Sequence, residues 1–393
     1  MTLLDFSFWD NYKNIIEALS GGKNTVVFDD VDLPSVMVRI PRFTFEDVGL
    51  TNPKTTWAAS TAYSLGHRVV PTSSNGYSYV CTTAGTSDST EPTWPTNEGS
   101  TVNDGTVVWT CQSLEYGEVM PAFRCDETFG ESGLVPCIYI GKYIAYEYNS
   151  RAYSLPYKDP RVNINFDNAK SRCTTKGTGW HLMTNAEWAA IAEWCRENGT
   201  MPRGNNNYLE DIDVPRECGV PTQTGIVKGV SGTARTYTGS GPDTWNHDHG
   251  PYGIADLNGN VWEWVDGLKI VDGVAKIMPD KDGAAPGNDF GTSESSWIDT
   301  ATDITSGMST GNKILTLRTG DNWTGLGIPA TSDGTGSATY GYDGYWFSAA
   351  DERMALRGGC WNGGVQAGVF VLNLNNLRSI AGTGFGVRPA YVS

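Results

Sequence analysis

The apolar residues Trp9, Tyr12, Ile15, Ile16 and Leu19 recur near helical spacing, and Gly21-Gly22 stops the run, which predicts a short amphipathic helix. Residues 25–28 and 35–40 are β-branched and apolar, with Pro34 and Pro41 as boundaries, and read as strands. The texture changes over 54–113. This stretch is rich in Thr, Ser and Gly, and short alternating runs recur at 67–70, 77–81 and 106–110. Asn75-Gly76 and Asp104-Gly105 supply turn chemistry before two of them. It reads as a small all-β module inserted into a larger fold.

Beyond the insert, 135–146 is strand-like and 166–173 helical. Thr184-Asn185-Ala186-Glu187 is a capping-box pattern: the Thr hydroxyl accepts from the third backbone N–H and Glu187 reaches back. Trp188, Ile191, Ala192 and Cys195 then form one apolar face, and Asn198-Gly199 fits the helix end. From about 200 onward Gly, Asn, Asp and Thr dominate around two apolar clusters, 261–265 and 368–372. The second reads as a buried strand. Residues 283–345 have few aliphatic runs, which suits long ordered loops rather than regular elements. The domain division that follows is 1–53 (helix and strands), 54–113 (insert) and 114–393.

Composition narrows the class. With 39% hydrophobic and 18% charged residues the chain can build a large core. Its 47 Gly and 14 Trp point to tight turns and loops pinned by large side chains. A net charge of −16 repels phosphate backbones and anionic membranes, so no nucleic-acid partner is expected. No run approaches the ~18 apolar residues of a membrane span, so no membrane insertion is expected. Residues 1–12 lack a basic flank followed by an apolar run, which predicts no signal peptide and folding in a cytoplasm.

Candidate chemistry is sparse. The eight Cys form no CxxC and no zinc-like spacing with His, and read as buried free thiols, with Cys81 and Cys111 as one candidate disulfide in the insert. His247-Asp248-His249 is the one local group able to start a metal site. It lacks a visible third ligand and reads better as a solvated turn before Gly250-Pro251. No GxSxG, Walker loop or GxGxxG after a strand occurs.

Three segments stand in one order: Gly179-Trp180-His181-Leu182-Met183-Thr184-Asn185-Ala186-Glu187-Trp188; Gly259-Asn260-Val261-Trp262-Glu263-Trp264; and Arg357-Gly358-Gly359-Cys360-Trp361 with Gly386-Val387-Arg388-Pro389-Ala390. Alternation about Glu263 puts Trp262 and Trp264 on one face, toward the core. Arg357 before two Gly suggests a buried guanidinium approached closely by backbone. In this order the segments resemble the formylglycine-generating-enzyme (sulfatase-modifying) branch of the C-type-lectin fold over roughly 135–393. The resemblance implies an α+β C-type-lectin-type fold with long ordered loops. No cofactor is expected; calcium in an Asp/Asn/Gly-rich loop is compatible with such a fold, with no ligands assigned. The enzymes of that branch use a Cys pair near the C-terminus. Here the last 170 residues hold only Cys360, so no enzyme is expected.

The stretch from Arg357 to Ala390 also resembles the variable region of retroelement-diversified proteins such as phage tropism determinants. In them a rigid lectin scaffold displays residues varied by mutagenesis at adenines. The resemblance places the variable region at about 345–390. Carried over residue by residue, the diversified positions are Cys360, Asn362, Gly363, Gln366, Ile380, Ala381, Gly382 and Gly384, with an upstream set of Phe347, Ser348 and Ala350. Randomising the adenines of an Asn codon with a fixed pyrimidine third base can yield, among others, Cys, Asn, Gly, Ile, Ala, Phe or Ser but never Gln, so Gln366 departs from the pattern. The insert resembles small carbohydrate-binding-like modules of phage tail proteins, in which Tyr63, Tyr79, Trp94 and Trp109 could stack on a sugar or fill the module's own core.

Together these imply a receptor-binding protein of a virion tail fibre, assembled in the host cytoplasm, a homotrimer whose partner is a host-cell surface receptor, protein or glycan. A bacterial cell-surface location is the alternative. A non-diversified glycan-binding or structural tail protein is the rival function, and a sulfatase-modifying-type enzyme a more distant one.

Overall fold

The computed structural model describes residues 6–125, 133–279 and 297–393. One sheet joins the two ends of the chain. Its order is Asn24–Phe28, Pro34–Pro41, Cys137–Gly141, Pro389–Tyr391, Trp180–Leu182, and every neighbour is antiparallel. Ile140 pairs with Val38 on one side and Ala390 on the other, so the last strand is locked between earlier ones.

The N-terminal helix α1 (Phe6–Ser20) buries Trp9 at 2% exposure against Val26, Leu33 and Val36. Tyr12 packs edge-on to Trp9 at 5.6 Å. The expected apolar stripe is only half used, because Ile15 and Leu19 are 55% and 64% exposed.

Among the described residues the larger sheet has nine strands. Its path runs Ile298–Asp303, Val274–Ile277, Trp262–Val271, Glu352–Arg357, Leu372–Asn376, Gly344–Phe347, Asn312–Leu317, Pro329–Asp333, and Phe385–Val387 lies parallel beside Trp262–Val271. The strand Trp262–Val271 is central and fully buries Trp264, Val265, Leu268 and Ile270. Trp262 packs on the same cluster as Trp264, as the alternation required. In the stretch 283–345 that reads as loop, 283–296 lie outside the described residues, and among the described ones three strands fall: Ile298–Asp303, Asn312–Leu317 and Pro329–Asp333. Two of them are sheet edges. An edge strand has one unpaired side and here little buried side-chain surface, so its sequence stays polar and its pattern weak. The apolar run at 368–372 is not the buried strand its composition predicts. Val369, Phe370 and Val371 are buried in a turn, and the strand begins only at Leu372.

Helix α2 (Leu114–Glu118) leads out of the insert, and α3 (Phe166–Thr174) covers the Trp264 cluster. Helix α4 (Asn185–Asn198) carries the full capping box at Thr184 and Glu187 and ends at Gly199 in the left-handed region. Trp188, Ile191, Ala192 and Cys195 are all buried, and the Trp188 indole donates to the Val369 carbonyl at 2.7 Å.

Buried amides order the loops of 200–260. Asn205 Nδ2 donates to the Ala234 carbonyl at 2.7 Å, and its Oδ1 accepts from Leu209 N–H at 2.7 Å. Asn206 Oδ1 accepts from Ile212 N–H, and Asn258 Nδ2 donates to the Pro202 carbonyl. Each amide replaces a ladder bond that irregular backbone cannot make for itself.

The insert is all β. Its five-stranded sheet runs Thr55–Thr56, Arg68–Val70, Tyr77–Thr83, Val107–Ser113, Thr101–Asp104. Trp57, Tyr63, Tyr79 and Trp109 fill its core, where Asp104 accepts from the Trp57 and Trp109 indoles at 2.8 and 2.9 Å. Cys81 lies opposite Trp109 and Cys111 opposite Tyr79, so the two sit diagonally across the ladder as separate thiols rather than a disulfide. Burial pushes the Cys81 thiol up to about 12. The insert rests on the 318–324 loop through His67 Nδ1 to Asp321 Oδ2 at 2.6 Å and Asn322 Nδ2 to the Leu65 carbonyl at 2.7 Å.

Candidate ligand-binding face

The C-terminal loops are held from beneath by Arg357. It is 1% exposed and donates to Asn185 Oδ1 and to the carbonyls of Phe370, Val371, Leu326 and Gly327, at 2.6 to 3.3 Å. Backbone approaches it closely, as expected from the two glycines that follow. Gly358 and Gly359 have φ of +86° and +83°, and a Cβ on Gly359 would lie 2.5 Å from that of Ala367. Asp343 is the second anchor. It is buried, its carboxylate accepts from Phe370 N–H at 2.7 Å, and burial raises its carboxyl to about 8.

Above these anchors every one of the eleven candidate positions is at least partly accessible. Asn362, Ile380, Ala381 and Ala350 are exposed; Cys360, Gly363, Gln366, Gly382, Gly384, Phe347 and Ser348 are half-buried. Between them Trp361, Ala367, Val369 and Phe370 are buried. Cys360 Sγ lies 2.9 Å from Asn362 Oδ1. A Cβ on Gly384 would stand 3.8 Å from that of Cys360 and 3.5 Å from the Trp361 ring, so residues 360, 362 and 384 form one patch. The Gly384 carbonyl accepts from Trp262 N–H, and Trp262 meets Trp346 edge-on at 5.8 Å. These two half-buried indoles extend the patch. Alternation about Glu263 points Trp262 toward the core and no local pattern marks Trp346, so neither carries a sequence signal for exposure.

The structure separates some of the expected set. Phe347 sits on the opposite face of its strand from Trp346, against Tyr345 at 4.9 Å, so it does not join the Cys360 patch. Gln366, the codon exception, is tethered, with Nε2 donating to the Gly311 carbonyl at 2.7 Å. Gly363 has no room for a side chain, since a Cβ there would lie 2.8 Å from Ala367 Cβ, whereas Gly382 and Gly384 have nothing nearer than 3.5 Å.

Tyr63, Tyr79 and Trp109 are 5%, 0% and 0% exposed, which leaves no ring face for a sugar. Trp94 is half-buried and lies on Tyr79 at 4.3 Å. The turn at His247-Asp248-His249 is not solvated at its first residue. His247 is 6% exposed, its Nδ1 accepts from Ile254 N–H, and burial drives the imidazole down to about 4. His249 turns away to the Met201 carbonyl. Among the described residues no three His, Cys, Asp or Glu side chains stand together as a metal site.

Two strands of the sheet that joins both chain ends, Trp180–Leu182 and Pro389–Tyr391, the buried Arg357 and Arg388 and the capped start of α4 lie on the motif segments, and the model of the sulfatase-modifying factor enzyme 1-like domain matches residues 18–311. The chain belongs to this family. Its fold is accordingly the mixed α and β C-type-lectin-type fold of the formylglycine-generating branch. Among solved structures this family member is similar to PvdO from Pseudomonas aeruginosa, at 14% identity over 94% of this chain and 98% of that one, with a TM-score of 0.32. It is also similar to the Major Tropism Determinant U1 variant (12%, 94% and 81%, TM-score 0.29) and to Treponema denticola variable protein 1 (12%, 94% and 99%, TM-score 0.30). No curated protein matches the sequence.

Proposed function

We propose that this family member is a non-enzymatic receptor-binding protein whose C-terminal face, centred on Cys360, Asn362, Ala381, Gly382 and Gly384, is a retroelement-diversified ligand surface. The observation that carries the reading is the division of labour within one short segment. Accessible, chemically unrelated side chains alternate with buried ones whose positions are held by Arg357 and Asp343. Replacements at such accessible positions cost little, about 0.5 kcal/mol or less, so the surface can change while the scaffold stays. Half-buried Trp262 and Trp346 offer aromatic anchor area of the kind that dominates binding energy.

The thiol chemistry supports a binder. Burial raises the Cys360 thiol, away from the thiolate that nucleophilic or copper chemistry needs. The proposed setting is a phage tail-fibre tip that meets a host-cell receptor, protein or glycan, as a homotrimer that gains avidity from weak single sites.

The deciding experiment is to sequence the DNA around the 3′ end of the gene. A near-copy of codons 345–390 differing only at adenines, beside a reverse transcriptase gene, is expected. Its absence overturns diversification and leaves a fixed ligand face on the same fold.

A further inference from the structure

The insert and the 318–324 loop meet at one histidine, and the contact sets three side chains in a row. His67 Nδ1 lies 2.6 Å from Asp321 Oδ2, and His67 Nε2 lies 2.9 Å from Thr55 Oγ1. Thr55 and His67 belong to the insert, whereas Asp321 stands 254 residues beyond His67 in the chain. The row is therefore complete only while the insert is docked.

The order of the three groups gives each a role. In the neutral imidazole, donation from Nδ1 to the carboxylate fixes the tautomer and leaves Nε2 as an acceptor. The Thr55 hydroxyl is then the donor, its proton directed at a base. A hydroxyl on a base that a third group orients is the arrangement that activates an oxygen nucleophile. The ring is braced as well. Tyr63 meets it edge-on at 4.8 Å, and Asn322 Nδ2 ties the Asp321 loop to the Leu65 carbonyl at 2.7 Å.

The hydroxyl is reachable. Thr55 is exposed on the edge strand Thr55–Thr56, while the His67 and Asp321 side chains are only 19% and 23% exposed. Trp57 N–H donates to the Val70 carbonyl, so in the parallel pairing with Arg68–Val70 the alternation turns the Thr56 N–H to the open side of the sheet. That N–H, next in sequence to the hydroxyl, is a donor for the oxygen of an incoming acyl group.

We propose that Thr55 is an acylation site that takes an acyl group from a thioester. Thr55 Oγ1 attacks the carbonyl carbon, and His67 Nε2 takes the hydroxyl proton while Asp321 holds the imidazolium in place. The C–O bond forms, the C–S bond breaks, and the departing thiolate recovers the proton from Nε2. A thioester fits as donor because a thiolate, whose thiol has a pKa of ~8.5 in Cys, leaves far more readily than an alkoxide. The oxygen ester formed is less electrophilic than its donor, so the group stays on the chain. This is a modification site rather than a turnover centre, and it is independent of the C-terminal face.

The probe is S-phenyl thioacetate on the full chain, with acetyl sites mapped by peptide mass spectrometry. Thr55 is expected to acetylate about a hundredfold faster than its exposed neighbour Thr56, the lower end of general-base assistance. His67→Gln should remove that advantage. Asp321→Asn should reduce it at least about tenfold, because an amide no longer fixes the tautomer. Lysine acetylation in the same digests should match the parent, which reports an intact fold. No ester at Thr55, equal rates at Thr55 and Thr56, or an unchanged Thr55 rate in either variant overturns the site.

Discussion

Arg388 and Glu263 form a two-pronged ion pair in the interior, with Nη2 to Oε1 at 2.7 Å and Nε to Oε2 at 2.8 Å, and neither residue is more than 1% exposed. The same guanidinium donates to the carbonyls of Gly141 and Ala255. One residue thus ties the strand Cys137–Gly141 of the first sheet to the strand Trp262–Val271 of the second. Removing either partner strands a buried charge. Arg388→Met is expected to destabilise the protein by about 3–5 kcal/mol. The double variant Arg388→Met/Glu263→Leu should recover a good part of that loss. Denaturant unfolding of the three proteins checks this, and a double variant as weak as the single one would count against it.

The glycines of the C-terminal face should divide sharply. Gly363→Ala is expected to cost about 1–3 kcal/mol, because its Cβ must displace Ala367. Gly384→Ala and Gly382→Ala should stay within about 0.5 kcal/mol of the parent. Thermal unfolding of the three variants tests the boundary between scaffold and surface.

Asp343 should leave a mark on the pH dependence of stability. Burial raises its folded-state value to about 8, against ~3.9 for an unfolded Asp. A raised value stabilises the fold fully below about 4, and that contribution is lost as pH rises toward 8. Asp343→Asn keeps an acceptor for Phe370 N–H and cannot ionise. The stability of the parent relative to this variant should therefore fall between pH 4 and 8. A flat difference across that range would place the ionisation elsewhere.

The insert should loosen when its dock is cut. Asp321→Ala removes the acceptor of His67 Nδ1, worth about 1 kcal/mol. Limited proteolysis near residues 54 and 113 should accelerate, while the core strand Trp262–Val271 keeps its amide protection. Unchanged cleavage would mean that Asn322 and the chain connections hold the insert alone.

Much of this architecture is legible along the chain. The capping box at Thr184, the buried face of α4, the first two strands, the β character of the insert and the burial of Arg357 all follow from local spacing and turn chemistry, because each depends on neighbours a few residues away. The edge strands between 297 and 333 are not legible. Their hydrogen bonds come from distant partners, and their side chains stay wet. Nor is the exposure of Ile15 and Leu19, since a helix pattern states which residues share a face and not how far the covering sheet extends.

The site divides in the same way. Sequence by itself determined the family, the accessible segment around Cys360 and the departure of Gln366. Only the tertiary structure decided that Gly363 is filled against Ala367, that Phe347 faces away, that Tyr63, Tyr79 and Trp109 are core, and that His247 is buried with its Nδ1 on the Ile254 N–H. Each of these depends on which atoms from remote parts of the chain arrive within van der Waals or hydrogen-bond distance, and no local pattern encodes that.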